Sequence, residues 1–142
     1  MTLAIRAILD PDVDAVAALW EACGLTRPWN DPHADIALAR QTPSSEIFVG
    51  LADDRIVASA MCGSDGHRGW LYYVAVNPAL QGSGHGRAIM AHAEAWLAEQ
   101  GVPKIELMVR SENTAVQRFY GAIGYKIEPV VVMARWLKPK AE

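Results

Sequence analysis

The chain has 142 residues, 51% of them apolar and 20% charged, a composition that predicts one globular domain over residues 1–142. A net charge of −3 without a Lys/Arg cluster argues against nucleic-acid binding, and two cysteines without metal-ligand spacing (Cys23, Cys62) predict free thiols in the cytoplasm and no metal. Acidic residues from Asp10 onward argue against a signal peptide, and no apolar run approaches the roughly 18 residues of a membrane helix.

The first part of the chain predicts one strand, two helices and a hairpin. A strand over residues 3–8 precedes a helix that begins at Asp10-Pro11, where Asp10 can cap and Pro11 suits the first helical position. The same device at Asp31-Pro32 opens a second helix through residue 41. Strands over 46–52 and 55–63 follow, joined by a tight turn at Asp53-Asp54.

The remainder predicts two helices between strands. A strand over 69–76 is apolar on both faces and therefore central; further strands are predicted over 104–110, 125–129 and 130–137, with helices over 86–101 and 113–124. The order β-α-α-β-β-β-α-β-α-β-β predicts an α+β fold with a mixed, mostly antiparallel seven-stranded sheet whose one parallel pair is 69–76 with 104–110. Residues 130–137 are either an interface strand of a homodimer or a sheet edge.

Three glycines stand directly before the third helix, at Gly82, Gly84 and Gly86. The first turn of a helix presents unpaired N–H groups and a partial positive charge, and glycine leaves that surface bare of side chains. A strand, a glycine-rich turn and a helix together therefore predict a site for a phosphate. The alternative is an incidental flexible loop.

Two common phosphate motifs do not fit this loop. A Walker loop requires Gly-Lys-Ser/Thr, which is absent. A dinucleotide fingerprint requires a third glycine at position 87 or 89, where Arg87 and Ile89 stand. A nicotinamide-dependent oxidoreductase is thereby disfavoured.

Two motifs resemble those of the GNAT superfamily, the Gcn5-related N-acetyltransferases. One is Gln81-x-x-Gly84-x-Gly86 after a strand, which is similar to the family's pyrophosphate loop. The other is Asn113-x6-Tyr120-x3-Gly124-Tyr125, which is similar to its second signature. The strand order over residues 3–137 is also similar, and the segments 28–32 and 64–69 resemble a small bacterial branch of the family.

The resemblance implies that acetyl-CoA, as co-substrate, lies in a wedge between strands 69–76 and 104–110. It implies that main-chain groups at the end of the first strand bind the pantetheine arm and polarise the thioester carbonyl. It places the pyrophosphate on the amides of the glycine loop. The cofactor-binding residues implied are Val74, Ala75, Val76, Gln81, Gly82, Ser83, Gly84, His85, Gly86, Arg87, Asn113 and Tyr120. Asn113 is open to a second interpretation, as a helix N-cap.

The resemblance also implies that the Tyr120 hydroxyl is the acid that meets the departing thiolate, although core packing is the other interpretation of this residue. No carboxylate lies on strand 69–76, so the general base is open. Glu106 on the strand at 104–110 is one candidate. His67, in the loop before the central strand, is another because histidine titrates near neutrality.

Family members commonly build an acceptor wall between the first two helices, which here corresponds to Trp29, Asn30 and Asp31. Tyr73 on the central strand is a further candidate for contact with the substrate. The implied activity is direct acetyl transfer to a primary amine of a small molecule or peptide. The alternative is an acyl-CoA-binding regulatory module without transferase activity. The acceptor itself cannot be named from the sequence.

Overall fold

A computed structural model describes residues 2–140. Its strands and helices, in chain order, are β1 (Ala4–Ala7), α1 (Val13–Ala22), α2 (Pro32–Gln41), β2 (Ser45–Ala52), β3 (Arg55–Ser64), β4 (Gly69–Val76), α3 (His85–Glu99), β5 (Ile105–Leu107) and α4 (Thr114–Ala122). Short 3-10 turns lie before α1 and after β4. None of the helices in this part of the chain has the length and apolar character needed to cross a membrane.

The five strands form one mixed sheet in the order β1-β2-β3-β4-β5. The first three pairs are antiparallel and β4–β5 is parallel, which confirms the predicted parallel pair. Two buried clusters line the sheet: Trp20 and Ile36 belong to the cluster containing α1 and α2 residues, and Ile89 and Leu97 belong to the one containing α3 residues. The architecture is therefore an α+β layered fold with helices on both faces.

Local sequence signals determine most of the element boundaries. Asp31 caps α2 by accepting a hydrogen bond from the His33 N–H at 3.0 Å. Asp53 and Asp54 adopt φ values of 50° and 61°, as the tight turn between β2 and β3 requires. The prediction for Asp10 was wrong in detail: Asp10 begins a 3-10 turn, Asp10–Asp12, that precedes α1 and is closed by the Asp12 carboxylate, which accepts the Leu9 N–H at 2.8 Å.

The parallel pair separates after three residues. Gly69, Trp70 and Leu71 pair with Ile105, Glu106 and Leu107, and the described ladder ends there although β4 continues to Val76. On the other side of β4, the register with β3 shifts between Ser59 and Met61, at the level of Tyr73. Tyr73 has φ +50°, which only a bulge or turn imposes on a non-glycine residue. The second half of β4 is therefore bulged and lacks a neighbour on its β5 side.

The two predicted closing strands, over 125–129 and 130–137, are not strands in the structure, so the described sheet has five strands rather than seven. A strand exists only where a neighbour completes its ladder. In this stretch the structure gives two backbone hydrogen bonds, from the Tyr125 N–H to the Tyr120 carbonyl and from the Val130 N–H to the Glu128 carbonyl, and neither joins two strands. Among the described residues, no strand lies on the outer side of β5. The apolar pattern of residues 130–137 is therefore left uncovered by this chain.

Candidate active site

The glycine loop joins β4 to α3 and presents its main chain to open space. Gly82 and Gly84 have φ values of +85° and +87°, in the left-handed region that favours glycine. A Cβ built on either residue meets nothing within 4 Å, so the surface above the loop is free. Gly84 is the N-cap of α3, a helix of 15 residues. The loop thus offers an unobstructed helix N-terminus to an anion.

Gly86 serves a different purpose from the other two glycines. A Cβ at this position would lie 3.1 Å from Cζ of Phe119, so its absence lets α3 pack against α4. The neighbouring His85 side chain is 3% exposed, and its Nε2 has no hydrogen-bond partner among the described residues. Side chains of the loop therefore point inward at 85, whereas Gln81, Ser83 and Arg87 are exposed.

The end of β4 is tied to both the loop and α1. The Asn77 N–H donates to the Val57 carbonyl of β3 at 2.7 Å. Successive residues of an antiparallel strand direct their N–H and C=O groups to opposite sides, so those of the preceding residue, Val76, point away from β3. The Val76 carbonyl accepts from Gln81 Nε2 at 3.3 Å and from the Cys23 thiol at 3.2 Å. Burial raises the pKa of that thiol, so Cys23 is a poor nucleophile.

A buried polar network holds the bulge at Tyr73. The Ser59 hydroxyl donates to the Tyr73 carbonyl at 2.9 Å and accepts from Trp20 Nε1 at 2.8 Å. The Trp20 and Tyr73 rings stack with centroids 3.7 Å apart, and the Tyr73 hydroxyl donates to Asp35 Oδ2 at 2.6 Å. Trp20 and Ser59 are 0% exposed. Three elements other than β4, namely α1, α2 and β3, therefore fix the backbone that precedes Val74.

Tyr120 and Asn113 lie at opposite ends of α4. Asn113 caps this helix by accepting a hydrogen bond from the Val116 N–H at 3.2 Å, which confirms its interpretation as a helix N-cap. The Tyr120 ring meets the Phe119 and Tyr125 rings edge to face. Burial raises the pKa of Tyr120 to about 12, which keeps its hydroxyl protonated at neutral pH. Tyr125 donates to Glu94 Oε2 at 2.6 Å, which anchors this aromatic group to α3.

A cavity of about 1390 Å³ opens along the β5 side of the sheet, where the parallel pair has separated. Tyr72 and Met108 line it from the two diverging segments, and Tyr120 lines it from α4. Tyr120 thus lies beside Tyr72 and Met108, whereas residues 74–76 and the glycine loop do not line this cavity. Val74, Ala75 and Val76 occupy the part of β4 beyond the last residue that pairs with β5.

The two predicted base candidates lie away from this end of β4. His67 is exposed in the turn before Gly69, and β4 rises roughly 17 Å between Gly69 and Val74. Glu106 is level with Trp70 and lies 3.6 Å from Arg68 in an ion pair. The structure thus places both at the start of β4, whereas the main-chain groups of interest lie at its end.

The predicted acceptor wall is only partly assembled. Asp31 is engaged as the α2 cap, and the Asn30 N–H donates to the Arg27 carbonyl at 3.0 Å. The Lys140 ammonium lies 3.9 Å from the centroid of the half-buried Trp29 ring, in a cation–π contact. Tyr73 reaches the same side of the sheet and contacts α2 through Asp35.

Three residues of this site escaped the sequence analysis: Trp20, Ser59 and Asp35. Ser59 is a polar residue within an otherwise apolar strand. A buried hydroxyl needs hydrogen-bond partners, and this was the signal by which the sequence could have indicated a role for Ser59. Asp35 appeared as an ordinary acidic residue in the first turn of α2. Its contact with Tyr73 spans 38 residues of sequence, so no local pattern reveals it.

Comparisons with known proteins identify the family of this chain. The profile of the Acetyltransferase (GNAT) family matches residues 13–125. An acetyltransferase of Pectobacterium atrosepticum is 39% identical over 133 residues, covering 94% of both chains. An acetyltransferase of Yersinia enterocolitica is 37% identical over the same share of each chain.

Solved structures share the fold at lower identity. AAC(6')-Iy, solved with the bisubstrate analogue CoA-S-monomethyl-acetylneamine, superposes with a TM-score of 0.82 at 19% identity, covering 96% of this chain and 99% of that one. The ribosomal-protein-S18-alanine N-acetyltransferase of Escherichia coli gives 0.75 at 24% identity, covering 87% and 77%. With the family profile spanning residues 13–125 and acetyltransferases 37–39% identical over 94% of the chain, this protein belongs to the GNAT family and is an acetyltransferase.

Proposed function

We propose that the protein is an acetyl-CoA-dependent N-acetyltransferase that moves the acetyl group directly to a primary amine of a small molecule or peptide. The observation that carries this proposal is the juxtaposition of two features. One is the second half of β4, which has no strand neighbour on its β5 side. The other is the open helix N-terminus at Gly82 and Gly84, directly after that strand.

The residues present fit coenzyme A. The N-terminal amides of α3 bind the pyrophosphate, because the loop above them is bare and the helix dipole favours an anion. Gln81 holds the loop against the Val76 carbonyl, which sets the distance between the phosphate site and the strand. The exposed Arg87 adds a positive charge in the first turn of α3. AAC(6')-Iy, which shares the fold, has been solved with CoA, and this supports the assignment.

When bound, acetyl-CoA supplies an activated acetyl group as a thioester. The main-chain N–H of Val76, which is turned away from β3, donates to its carbonyl oxygen, where negative charge develops as the amine nitrogen attacks the carbonyl carbon. The C–S bond then breaks, and Tyr120 gives its proton to the leaving sulfur. A raised pKa keeps Tyr120 protonated, as an acid in this role must be.

We assign Asp35 the task of holding the acceptor side of the site. It is a carboxylate that the structure brings to the bulged half of β4, through its hydrogen bond with Tyr73. A negative charge at this place attracts an ammonium group and takes up the proton that the amine loses. Asp35 replaces His67 and Glu106 as the favoured base, because both of those lie at the other end of the strand.

The loop assignment is tested by one matched pair of variants. Ser83 is exposed in the loop, and its hydroxyl donates to the Leu80 carbonyl. Ser83→Glu and Ser83→Gln both lose that bond, but only the first adds a negative charge beside the bound diphosphate. We expect Ser83→Glu to bind CoA about 10-fold more weakly than Ser83→Gln by calorimetry. Equal affinities would show that the diphosphate binds elsewhere.

The activity is tested by release of free thiol from acetyl-CoA in the presence of amines. The panel contains aminoglycosides, polyamines, free amino acids and peptides with a free N-terminus. We expect acceptor-dependent thiol release with one of these classes, and loss of that release in Asp35→Asn. CoA binding without acceptor-dependent release from any class would favour a binding module instead.

A further inference from the structure

The chain places one of its own ammonium groups on an aromatic ring between the first two helices. The Nζ atom of Lys140 lies 3.9 Å from the centroid of the Trp29 ring. The negative face of an aromatic ring attracts a cation, and tryptophan is the aromatic residue that does so most strongly. Trp29 is half-buried, which restricts its ring before any ligand arrives. The contact is therefore a direct example of the ligand chemistry that this ring accepts, an alkylammonium group.

The Trp29 ring lies within reach of the carboxylate assigned to the acceptor side of the site. Trp29 stands two residues before Asp31, and the Asp35 N–H donates to the Asp31 carbonyl at 2.9 Å in the first turn of α2. Two residues of chain span at most about 7 Å and one helical turn rises about 6 Å, so the Trp29 and Asp35 Cα atoms lie within about 13 Å of each other. A small linear molecule can bridge that distance.

The surroundings of this ring favour a cation. Residues 10–41 contain six carboxylates and two cations, a net charge of −4. Of the two cations, Arg40 is paired with Asp10 at 2.7 Å, and Arg27 donates to main-chain carbonyls. Asp35 is bonded to a neutral tyrosine hydroxyl, which leaves its negative charge uncompensated by that contact. An excess of one charge raises the local concentration of ligands with the opposite charge.

Lys140 reaches the ring on a basic segment that a ligand can displace. Residues 129–140 carry three cations, Arg135, Lys138 and Lys140, and no carboxylate. An exposed cation–π contact favours the bound state by a factor of only about 2 to 5. A ligand that brings its own ammonium group can therefore take the place of Lys140 on the ring.

We infer that the Trp29 ring is an ammonium subsite for the acceptor and that Lys140 competes for it, so that the preferred acceptors are small amines carrying a second positive charge. The inference rests on the proposed function, because it names the acceptor class of that site. The reacting amine loses its proton near Asp35, whereas a distant alkylammonium group stays protonated at neutral pH. A linear diamine with roughly four to eight methylenes spans the two positions.

The first test compares two acceptors that differ by one ammonium group, hexamethylenediamine and hexylamine. We expect the wild type to have the higher kcat/KM for the diamine, and Trp29→Leu to lose about 5-fold or more of that preference. Trp29→Phe should fall between the two, because phenylalanine binds cations more weakly than tryptophan. Trp96→Leu is the matched control, since it changes a half-buried tryptophan in the α3 cluster and should keep the preference.

The second test removes the competing ammonium group. Lys140→Gln should lower KM for hexamethylenediamine by about 2- to 5-fold and leave kcat unchanged, because the ring is then vacant for the substrate. Lys138→Gln removes the same charge from the same segment two residues earlier and should leave KM unchanged. Equal values of KM for the diamine in wild type, Lys140→Gln and Lys138→Gln would show that Lys140 does not compete.

A measurement without turnover separates this inference from the proposed function. The indole N–H resonance of Trp29 is assigned by its loss in the spectrum of Trp29→Leu, and we expect it to shift when hexamethylenediamine is added to the CoA-bound wild type. A resonance that does not move overturns the inference, as does an unchanged diamine preference in a folded Trp29→Leu. Absence of thiol release with every amine would count against the proposed function alone, and the Trp29 resonance would still decide whether the ring binds an ammonium group.

Discussion

Removing the Ser59 hydroxyl should damage both stability and catalysis, and the two effects are separable. Ser59→Ala leaves two buried groups without partners: the indole N–H of Trp20 and the main-chain carbonyl of Tyr73. Each unsatisfied buried group costs about 1–3 kcal/mol. We therefore expect a loss of about 2–5 kcal/mol in the free energy of unfolding, a large share of the roughly 5–15 kcal/mol available to a domain.

The catalytic effect follows from the backbone at Tyr73. A φ of +50° in a tyrosine is itself unfavourable by about 1–3 kcal/mol and persists because the surroundings enforce it. Without the bond from Ser59, the strand can relax toward ordinary extended geometry, which would turn the following N–H groups away from the thioester. Loss of one such donor lowers kcat by about 10²–10³-fold in other acyl-transfer enzymes, and we expect a loss of about 10-fold or more here.

The assay compares Ser59→Ala with a variant that is destabilised but intact at β4. Ile47→Ala is suitable, because Ile47 is 1% exposed on β2 in the same buried cluster and a buried Ile→Ala change costs about 2–5 kcal/mol. Unfolding by urea gives the stability of each, and kcat and KM are measured at a temperature where both are folded. Ser59→Thr should restore kcat. If Ser59→Ala and Ile47→Ala retain the same kcat, the network does not position the backbone for catalysis.

Two further predictions concern titrating groups. Tyr120→Phe should lower kcat by about 10²-fold at every pH from 6 to 10, because burial raises the pKa of Tyr120 to about 12 and its proton is present throughout that range; an alkaline decline below pH 10 that disappears in Tyr120→Phe would contradict this. The Arg6 guanidinium lies 2.6 Å from the Asp12 carboxyl and lowers the pKa of that carboxyl. The stability contributed by this ion pair is therefore complete above the unfolded pKa of Asp12, near 4, and is lost as the pH falls through the lower folded pKa. Asp12→Asn should therefore flatten the acid limb of stability measured by urea unfolding between pH 2 and 7, and an unchanged limb would show that other groups dominate it.

Signals within a few residues of sequence predicted much of the fold. The Asp31 cap, the Asp53-Asp54 turn and the Asn113 cap are all local hydrogen-bond or torsion preferences, and the structure shows each of them. The same holds for the glycine loop, where bare backbone before a helix is a property of residues 82–86 alone. The parallel pair followed from the strand–helix–strand order.

Contacts between distant parts of the chain account for what was missed. The Trp20–Ser59 bond spans 39 residues, and nothing near either residue specifies the other. His67 was attractive because it stands next to the central strand in sequence, but strand direction places it at the opposite end from Val74. The strand predicted over 130–137 was wrong, because an apolar composition alone does not form a strand: a neighbouring strand must complete the ladder, and the described residues provide none there.

The bulge in β4 has a consequence for how this protein tolerates mutation. A hydrogen-bond donor that is part of the peptide backbone survives every codon change except one to proline. In a saturation library selected for turnover, residues 74–76, which we propose to contact the ligand through their main chain, should accept many side chains. Substitutions should instead be poorly tolerated at Ser59 and Trp20, two fully buried residues that contact Tyr73 of β4 from the neighbouring strand and from α1. If the proposed role of β4 holds, acceptor preference can change through substitutions at these positions while the main-chain donors to the thioester remain the same.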